Sequence, residues 1–162
     1  MTVCEPLARN NPVLYVDMDN VLVNFQSGVD ALSEDMRKEY EGRYDEVPGI
    51  YAKMLPVDGA IRAMRILSRM YDVYVLSSAS WANPSSWSDK FVWINTYLPG
   101  ICYKRLILSH HKDLNRGDFL IDDREKNGAK EFCGELILFG SDKFPDWSFV
   151  LSYLVTLRYK SK

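Results

Sequence analysis

VLYVDMDNV, residues 13–21, decides the fold. Its four apolar residues, Val13 to Val16, are too few for a helix, and they run straight into Asp17 and Asp19, two carboxylates spaced two apart. A short, continuous run of β-branched and aromatic residues suits a strand buried on both faces. Four later stretches repeat the design: Val73-Tyr74-Val75-Leu76 before Ser77, Leu106-Ile107-Leu108 before Ser109, Phe119-Leu120-Ile121 before Asp122, and Leu136-Ile137-Leu138-Phe139 before Gly140.

Between these runs the apolar spacing turns helical. Asp58 stands where it would cap a helix bearing Ile61, Met64 and Leu67 on one face. Asn83-Pro84 supply a cap and a first-turn proline for a helix with Trp87, Phe91, Ile94 and Leu98, and Gly100 marks its end. Glu125 to Cys133 reads as a shorter helix stopped by Gly134, and Trp147, Val150, Leu151, Leu154 and Leu157 share one face of a last helix. This alternation predicts an α/β fold: a three-layer, doubly wound, parallel five-stranded sheet with helices on both faces. In such sheets ligands sit beyond the carboxyl ends of the strands, so the polar residues that follow each run become neighbours.

The rhythm breaks between Val21 and Val57. Phe25, Val29, Leu32, Met36 and Tyr40 follow helical spacing, Pro48-Gly49 and Pro56 punctuate a second short segment, and no strand is expected there. We expect residues 21–57 to form a small helical cap over the strand ends, with the α/β core made of residues 1–20 and 58–162. The plainer alternative is a decorated crossover connection with no part in binding.

The bulk properties narrow the function. A chain of 162 residues, 47% hydrophobic and 26% charged, fits one domain able to bury roughly 70% of its unfolded surface. A net charge of −2 without any block of like charges argues against a nucleic-acid polymer as partner, so an anionic ligand must be held by local groups. Cys4, Cys102 and Cys133 are odd in number and lack CxxC spacing, which speaks against a disulfide framework or structural zinc and suits a reducing compartment. Met1 to Pro12 carries Glu5, Pro6 and Arg9 where a signal peptide needs an apolar run, and no apolar stretch reaches the ~20 residues of a membrane span. A cytoplasmic protein without a membrane partner is expected.

The chemistry concentrates at two strand ends, where Asp17 and Asp19, then Asp122 and Asp123, cluster. Two carboxylates about 4 Å apart repel by roughly 4 kcal/mol at an effective dielectric near 20, so such a cluster calls for a cation or for protons. With hard oxygens and no matching cysteine or histidine spacing, Mg²⁺ is the favoured ion. Any one of these aspartates alone would read as a turn or helix cap; two pairs at two strand ends weaken that account. Ser77 and Ser78 offer a hydroxyl and backbone N–H groups to a phosphate. Lys112 offers a compact positive charge, although a lone loop lysine is commonly just solvated. His110 and His111 point in opposite directions if the segment is extended, so at most one faces the site.

Taken in chain order, Asp17-Met18-Asp19-Asn20-Val21, Ser77-Ser78, Lys112 and Asp122-Asp123 resemble the four motifs of the haloacid-dehalogenase superfamily. Within it, the chain is similar to the 5′(3′)-deoxyribonucleotidase family and its bacterial-type members. The stretches that carry the likeness are DMDNVLVNF (17–25), PGIYAKMLPVDGAI (48–61), FLIDDR (119–124) and, closest to the bacterial members, GSDKFPDWSFVLSYL (140–154). The resemblance implies a Mg²⁺-dependent phosphomonoester hydrolase acting on deoxyribonucleoside monophosphates through an aspartyl-phosphate intermediate. Asp17 would be the nucleophile and a metal ligand. Asp19 would act as acid and then base, with its backbone carbonyl on the metal. Ser78, the likelier match than Ser77, would hold the phosphoryl group with Ala79 and Lys112. Asp122 would complete the metal site with Asp123 behind it, and Phe25 would pack near the base or sugar. Asn20 stands where glycine is common, Ser77-Ser78-Ala79-Ser80 replaces a Thr-Ser-Pro-like turn, and His110 occupies a position where the animal enzymes carry an arginine. A phosphatase for another small ester such as a sugar phosphate, a phospho-acceptor module, and an inactive ligand-binding relative are the alternatives.

Overall fold

The strand Val13–Val16, β1, is buried at every position and lies at the centre of the sheet in a computed structural model that describes residues 11–160. The N-terminal stretch to residue 10, with Cys4, and the last two residues lie outside the described residues. Two further short strands follow in the chain, β2 (Val23–Asn24) and β3 (Leu55–Pro56), then β4 (Asp72–Ser77), β5 (Leu106–Leu108), β6 (Phe119–Asp122) and β7 (Glu135–Leu138). The sheet order is β5-β4-β1-β6-β7 and every neighbouring pair is parallel, as the five apolar runs predict. Val16 stands opposite Val75 of β4 and Ile121 of β6, so three central strands end side by side.

Alternation along the strands divides the core. Leu14, Val16, Val73, Val75, Ile121 and Ile137 join one apolar cluster, while Val13, Tyr15, Leu76 and Leu120 join another with Ala129 and Phe132. The first cluster takes in the helices α3 (Ala60–Leu67), α4 (Ser85–Tyr97) and α5 (Trp147–Lys160). Helix α3 buries Ala60, Ala63, Met64 and Leu67, and α5 buries Trp147, Val150 and Leu154. Each such large side chain, fully enclosed, contributes about 1.5–3 kcal/mol. Trp147 and Tyr71 also donate hydrogen bonds to the carbonyls of Val21 and Leu154, each at 2.7 Å.

Four local expectations change. Helix α3 starts at Gly59, whose φ of 78° few other residues adopt, and Asp58 provides no side-chain cap. Helix α4 turns Ser86, Asp89, Lys90, Trp93 and Ile94 inward and leaves Trp87 and Phe91 exposed, although those two looked like its apolar face. Residues 125–134 form turns instead of a helix, because Asn127 and Gly128 both take positive φ and reverse the chain. Within the 21–57 stretch, where no strand was expected, β2 and β3 pair antiparallel, each too short for periodicity to register. The helical parts of that stretch are short and joined by turns: α1 (Phe25–Asp30), capped by Asn24, α2 (Glu34–Glu39), capped by Ser33, and single 3₁₀ turns at Tyr44–Glu46 and Tyr51–Lys53.

Candidate active site

Parallel pairing of β1 with β6 fixes the first two acidic groups. The Asp17 N–H continues the ladder to the Ile121 carbonyl at 2.9 Å, and Asp122 is the last residue of β6, so the two side chains leave adjacent strand ends. Asp17, Asp122 and Asp123 bring carboxylate oxygens within 4.8 Å of one another, with Asp17 and Asp122 buried. Lys112, in the 3₁₀ turn Lys112–Leu114 after β5, reaches both: its Nζ lies 3.0 Å from Asp17 Oδ1 and also donates to Asp122 Oδ2.

The charges answer to this crowding. Burial, and then repulsion from Asp17, push the Asp122 carboxyl up to about 6 against the pull of Lys112. Burial works against the Lys112 ammonium, but Asp17 and Asp122 outweigh it and hold the amine above its ordinary value. Lys112 is placed by backbone: its N–H donates to the Asn127 carbonyl at 2.8 Å. A Cβ on Gly128 would stand 2.0 Å from Asp113 Oδ1, so the turn that displaced the expected helix also seats the lysine's loop.

Asp123 is only half satisfied. Its Oδ2 accepts from Asn20 Nδ2 at 3.1 Å, while Oδ1 is buried without a hydrogen bond and has Arg124 Nε at 3.5 Å. Asp123, expected behind the metal site, has this oxygen, free of hydrogen bonds, beside Asp17 and Asp122. A set of hard oxygens with one buried acceptor unfilled fits an oxygen-preferring divalent cation such as Mg²⁺.

Asp19 stands apart from that group. Its Oδ1 is 2.7 Å from Nζ of Lys90, a lysine of α4 with no exposed surface, whose ammonium also donates to Ser77 Oγ at 3.0 Å. Burial raises the Asp19 carboxyl, Lys90 partly counters this, and Asp17 adds to it. Ser77 is thus turned into the core. Ser78 faces the open side, donating to the Ser109 carbonyl at 2.8 Å and accepting from Asn127 Nδ2 at 3.1 Å.

A cleft of about 510 Å³ opens beyond these strand ends, within the size range of small-molecule sites. Asp19, Asn20, Ser78, Ala79, Arg124 and Asn127 form its polar end, and Phe25, Tyr51, Trp81 and His110 form an aromatic wall with Asp45 and Ser80 beside them. Phe25 meets Tyr51 edge to face at 6.0 Å. His110 Nε2 lies 2.7 Å from the Ala79 carbonyl and its ring packs on Trp81, whereas His111 is exposed and does not line the cleft. Burial, with Asp19 and Asp45 nearby, pushes the Tyr51 hydroxyl well above its ordinary value and keeps it neutral.

Sequence reasoning missed Lys90, Arg124, Asn127, Tyr51 and Trp81. Lys90 was detectable as the middle of a Ser86, Lys90, Trp93 stripe at i, i+4, i+7, but the greasier Trp87 stripe masked it.

Residues 34–145 match the family described as 5′ nucleotidase, deoxy (Pyrimidine), cytosolic type C. The chain belongs to that nucleotidase family. The match takes in Ser78, Lys112, Asp122 and Asp123, while Asp17 and Asp19 precede it. A protein of Vibrio phage KVP40, assigned by name as a 5′(3′)-deoxyribonucleotidase, is 58% identical over 91% of this chain and 86% of its own length. A Staphylococcus aureus (strain Mu50) protein with the same assignment is 28% identical over 76% of this chain and 79% of its own. Among solved structures, the HAD-hydrolase YfnB of Bacillus subtilis, bound to magnesium, covers 90% of this chain and 99% of its own, with a TM-score of 0.64 and 11% identity. At that identity the likeness speaks for the fold, which is the haloacid-dehalogenase type.

Proposed function

We propose that this nucleotidase-family member hydrolyses the phosphate monoester of deoxyribonucleoside monophosphates through a phosphorylated Asp17. The observation that carries this reading is the convergence of Asp17 and Asp122 on Lys112, with Asp123 beside them and with Asp19, two residues on from Asp17, lining an aromatic-walled cleft. Among the described residues the four carboxylates there face three cations, Lys112, Lys90 and Arg124, so a dianionic phosphate needs a further divalent cation.

Asp17, Asp122 and the backbone carbonyl of Asp19 would hold Mg²⁺, with Asp123 supporting them. Once bound, the ion neutralises charge on the transferred phosphoryl group. The protein's own groups do the rest. An Asp17 oxygen bonds to phosphorus while the ester P–O bond breaks, and the leaving oxygen takes its proton from Asp19. Water then attacks the aspartyl phosphate, Asp19 recovers a proton from it, and inorganic phosphate leaves with the Asp17 carboxylate restored. Lys112, Ser78 and the turn at Ala79 hold the phosphoryl oxygens, and Phe25 with the aromatic wall receives the base and sugar. Residues 21–57 act as the cap that carries Phe25 and Tyr51, and a cytoplasmic setting suits such a nucleotide substrate.

Phosphate release from a panel of deoxynucleotides and sugar phosphates, with and without Mg²⁺, tests this. We expect turnover only with the metal and a preference for deoxynucleotides, with Asp17→Asn inactive yet folded. Full activity of Asp17→Asn removes the nucleophile assignment, and indifference to base and sugar removes the nucleotide.

A further inference from the structure

Lys90 has no part in the steps above, yet no other cation among the described residues is so completely enclosed. An ammonium held out of water is strongly unfavourable unless it is paired and hydrogen-bonded. Its partners come from three separate parts of the fold: Asp19 in the turn after β1 at 2.7 Å, Ser77 at the end of β4 at 3.0 Å, and the Tyr51 ring of the 3₁₀ turn in the inserted stretch, 4.6 Å from Nζ to the ring centroid.

We propose that Lys90 is a positioning residue for proton transfer: it anchors Oδ1 of Asp19 so that Oδ2 alone is presented to the leaving oxygen. This rests on the assignment of Asp19 as the acid and base. A free aspartate samples several rotamers, whereas proton transfer needs one oxygen kept within hydrogen-bond reach of the reacting atom. The charge-assisted bond to a lysine enclosed and held by Ser77 as well fixes Oδ1. Oδ2 has no hydrogen-bond partner among the described residues, and Asp19 lines the cleft. The two buried lysines thereby divide the work, with Lys112 on Asp17 and Asp122 and Lys90 on Asp19.

The test is dependence on the leaving group. Thymidine 5′-monophosphate expels an alkoxide that needs a proton, and p-nitrophenyl phosphate expels a phenolate that does not. Values of kcat/KM include only the steps through departure of that group, so base catalysis in the second step does not enter. With Mg²⁺ present, Lys90→Met should lose about 10²-fold on the nucleotide and under about threefold on the aryl ester. Asp19→Asn should show the same bias, and the double variant should be no worse than Asp19→Asn alone. Equal losses on both substrates, or losses that multiply in the double variant, overturn the positioning role. An Asp19→Asn variant without the bias overturns the acid assignment instead, and a wild type inert on both esters overturns the phosphatase proposal. Should Lys90→Met fail to fold, Ser77→Ala removes one anchor while keeping the ammonium; a bias of about threefold or more against the nucleotide supports the proposal, and its absence defeats it.

Discussion

The floor and the wall of the cleft are built by different means. The floor, Asp17 and Asp122, both buried, with Ser78, which lines the cleft, comes from the ends of β1, β6 and β4, three strands whose register sets those ends side by side. The wall, Phe25 and Tyr51 with Trp81 and His110, comes from the inserted stretch and from loops, and side-chain bonds to the start and middle of α4 hold it. Asn83 Nδ2 donates to the carbonyls of Asp45 and Val47 at 3.0 and 2.9 Å, Ser85 Oγ accepts from the Gly49 N–H at 2.9 Å, and Trp93 Nε1 donates to the Met54 carbonyl at 2.8 Å. Backbone topology thus fixes the acidic end, where the proposed chemistry lies, and a handful of polar side chains fix the aromatic end, proposed to recognise the substrate. The two ends should respond separately to mutation.

The largest expected effect lies in the floor. Lys112→Met leaves Asp17 and Asp122 buried without their cation. Breaking a buried pair in this way costs about 3–5 kcal/mol, so the metal-free variant should melt well below the wild type. Mg²⁺ should restore much of that loss, because the ion takes over the neutralising charge, while turnover stays down by about 10²–10³-fold for want of a phosphate-binding donor. Melting curves with and without Mg²⁺ check this, and a metal-free melt identical to wild type would break the picture of a charge-crowded floor.

A second effect in the floor follows from Asp122. Its carboxyl sits at about 6 in the folded protein against an ordinary 3.8, so the folded state holds this proton more tightly than the unfolded one. In the metal-free protein its contribution to stability is therefore greatest below the unfolded value and is lost as the pH rises through about 6. Metal and proton compete for the same oxygens, so Mg²⁺ affinity should be flat above about 7 and fall by up to about tenfold per pH unit below 6. Calorimetric titration with Mg²⁺ at several pH values, in two buffers of different ionisation enthalpy, measures both the affinity and the released proton. Affinity that does not change between pH 7 and 5 would detach Asp122 from the metal.

The same division governs what the sequence made legible. The five apolar runs became five strands because a buried parallel strand must be apolar on both faces, a signal that needs no partner to be read. The residues after those runs met because topology alone gathers them. Lys90 lay on a stripe that spacing offers but that the more apolar Trp87 face outweighed, since its inward direction depends on α4 burying a polar stripe against Asp19 and Tyr51 while Trp87 and Phe91 face out. The turns at 125–134 were missed for a related reason: positive φ at Asn127 and Gly128 serves the carbonyl that receives the Lys112 N–H, a tertiary demand that local propensity does not contain. Hydrophobic pattern reveals elements, whereas polar burial that serves a site shows only when the neighbours are in place.

The smallest effect belongs to the wall and separates it most cleanly from the floor. Trp81 is 83% exposed and packs on His110 at the cleft, so little of its area is withdrawn from water by folding. Trp81→Ala should leave the melting temperature nearly unchanged, a stability shift within about 0.5 kcal/mol. Loss of an aromatic face that stacks on a base costs about 1–3 kcal/mol in nucleic-acid complexes, and an open, water-exposed ring belongs at the low end. KM for thymidine 5′-monophosphate should therefore rise about fivefold to tenfold with kcat little changed. Hydrolysis of glycerol 2-phosphate, which has no base to stack, should be unaltered. A fall in kcat on both esters would mean that Trp81 acts on the floor, and the separation between the recognising and reacting ends of the cleft would not hold.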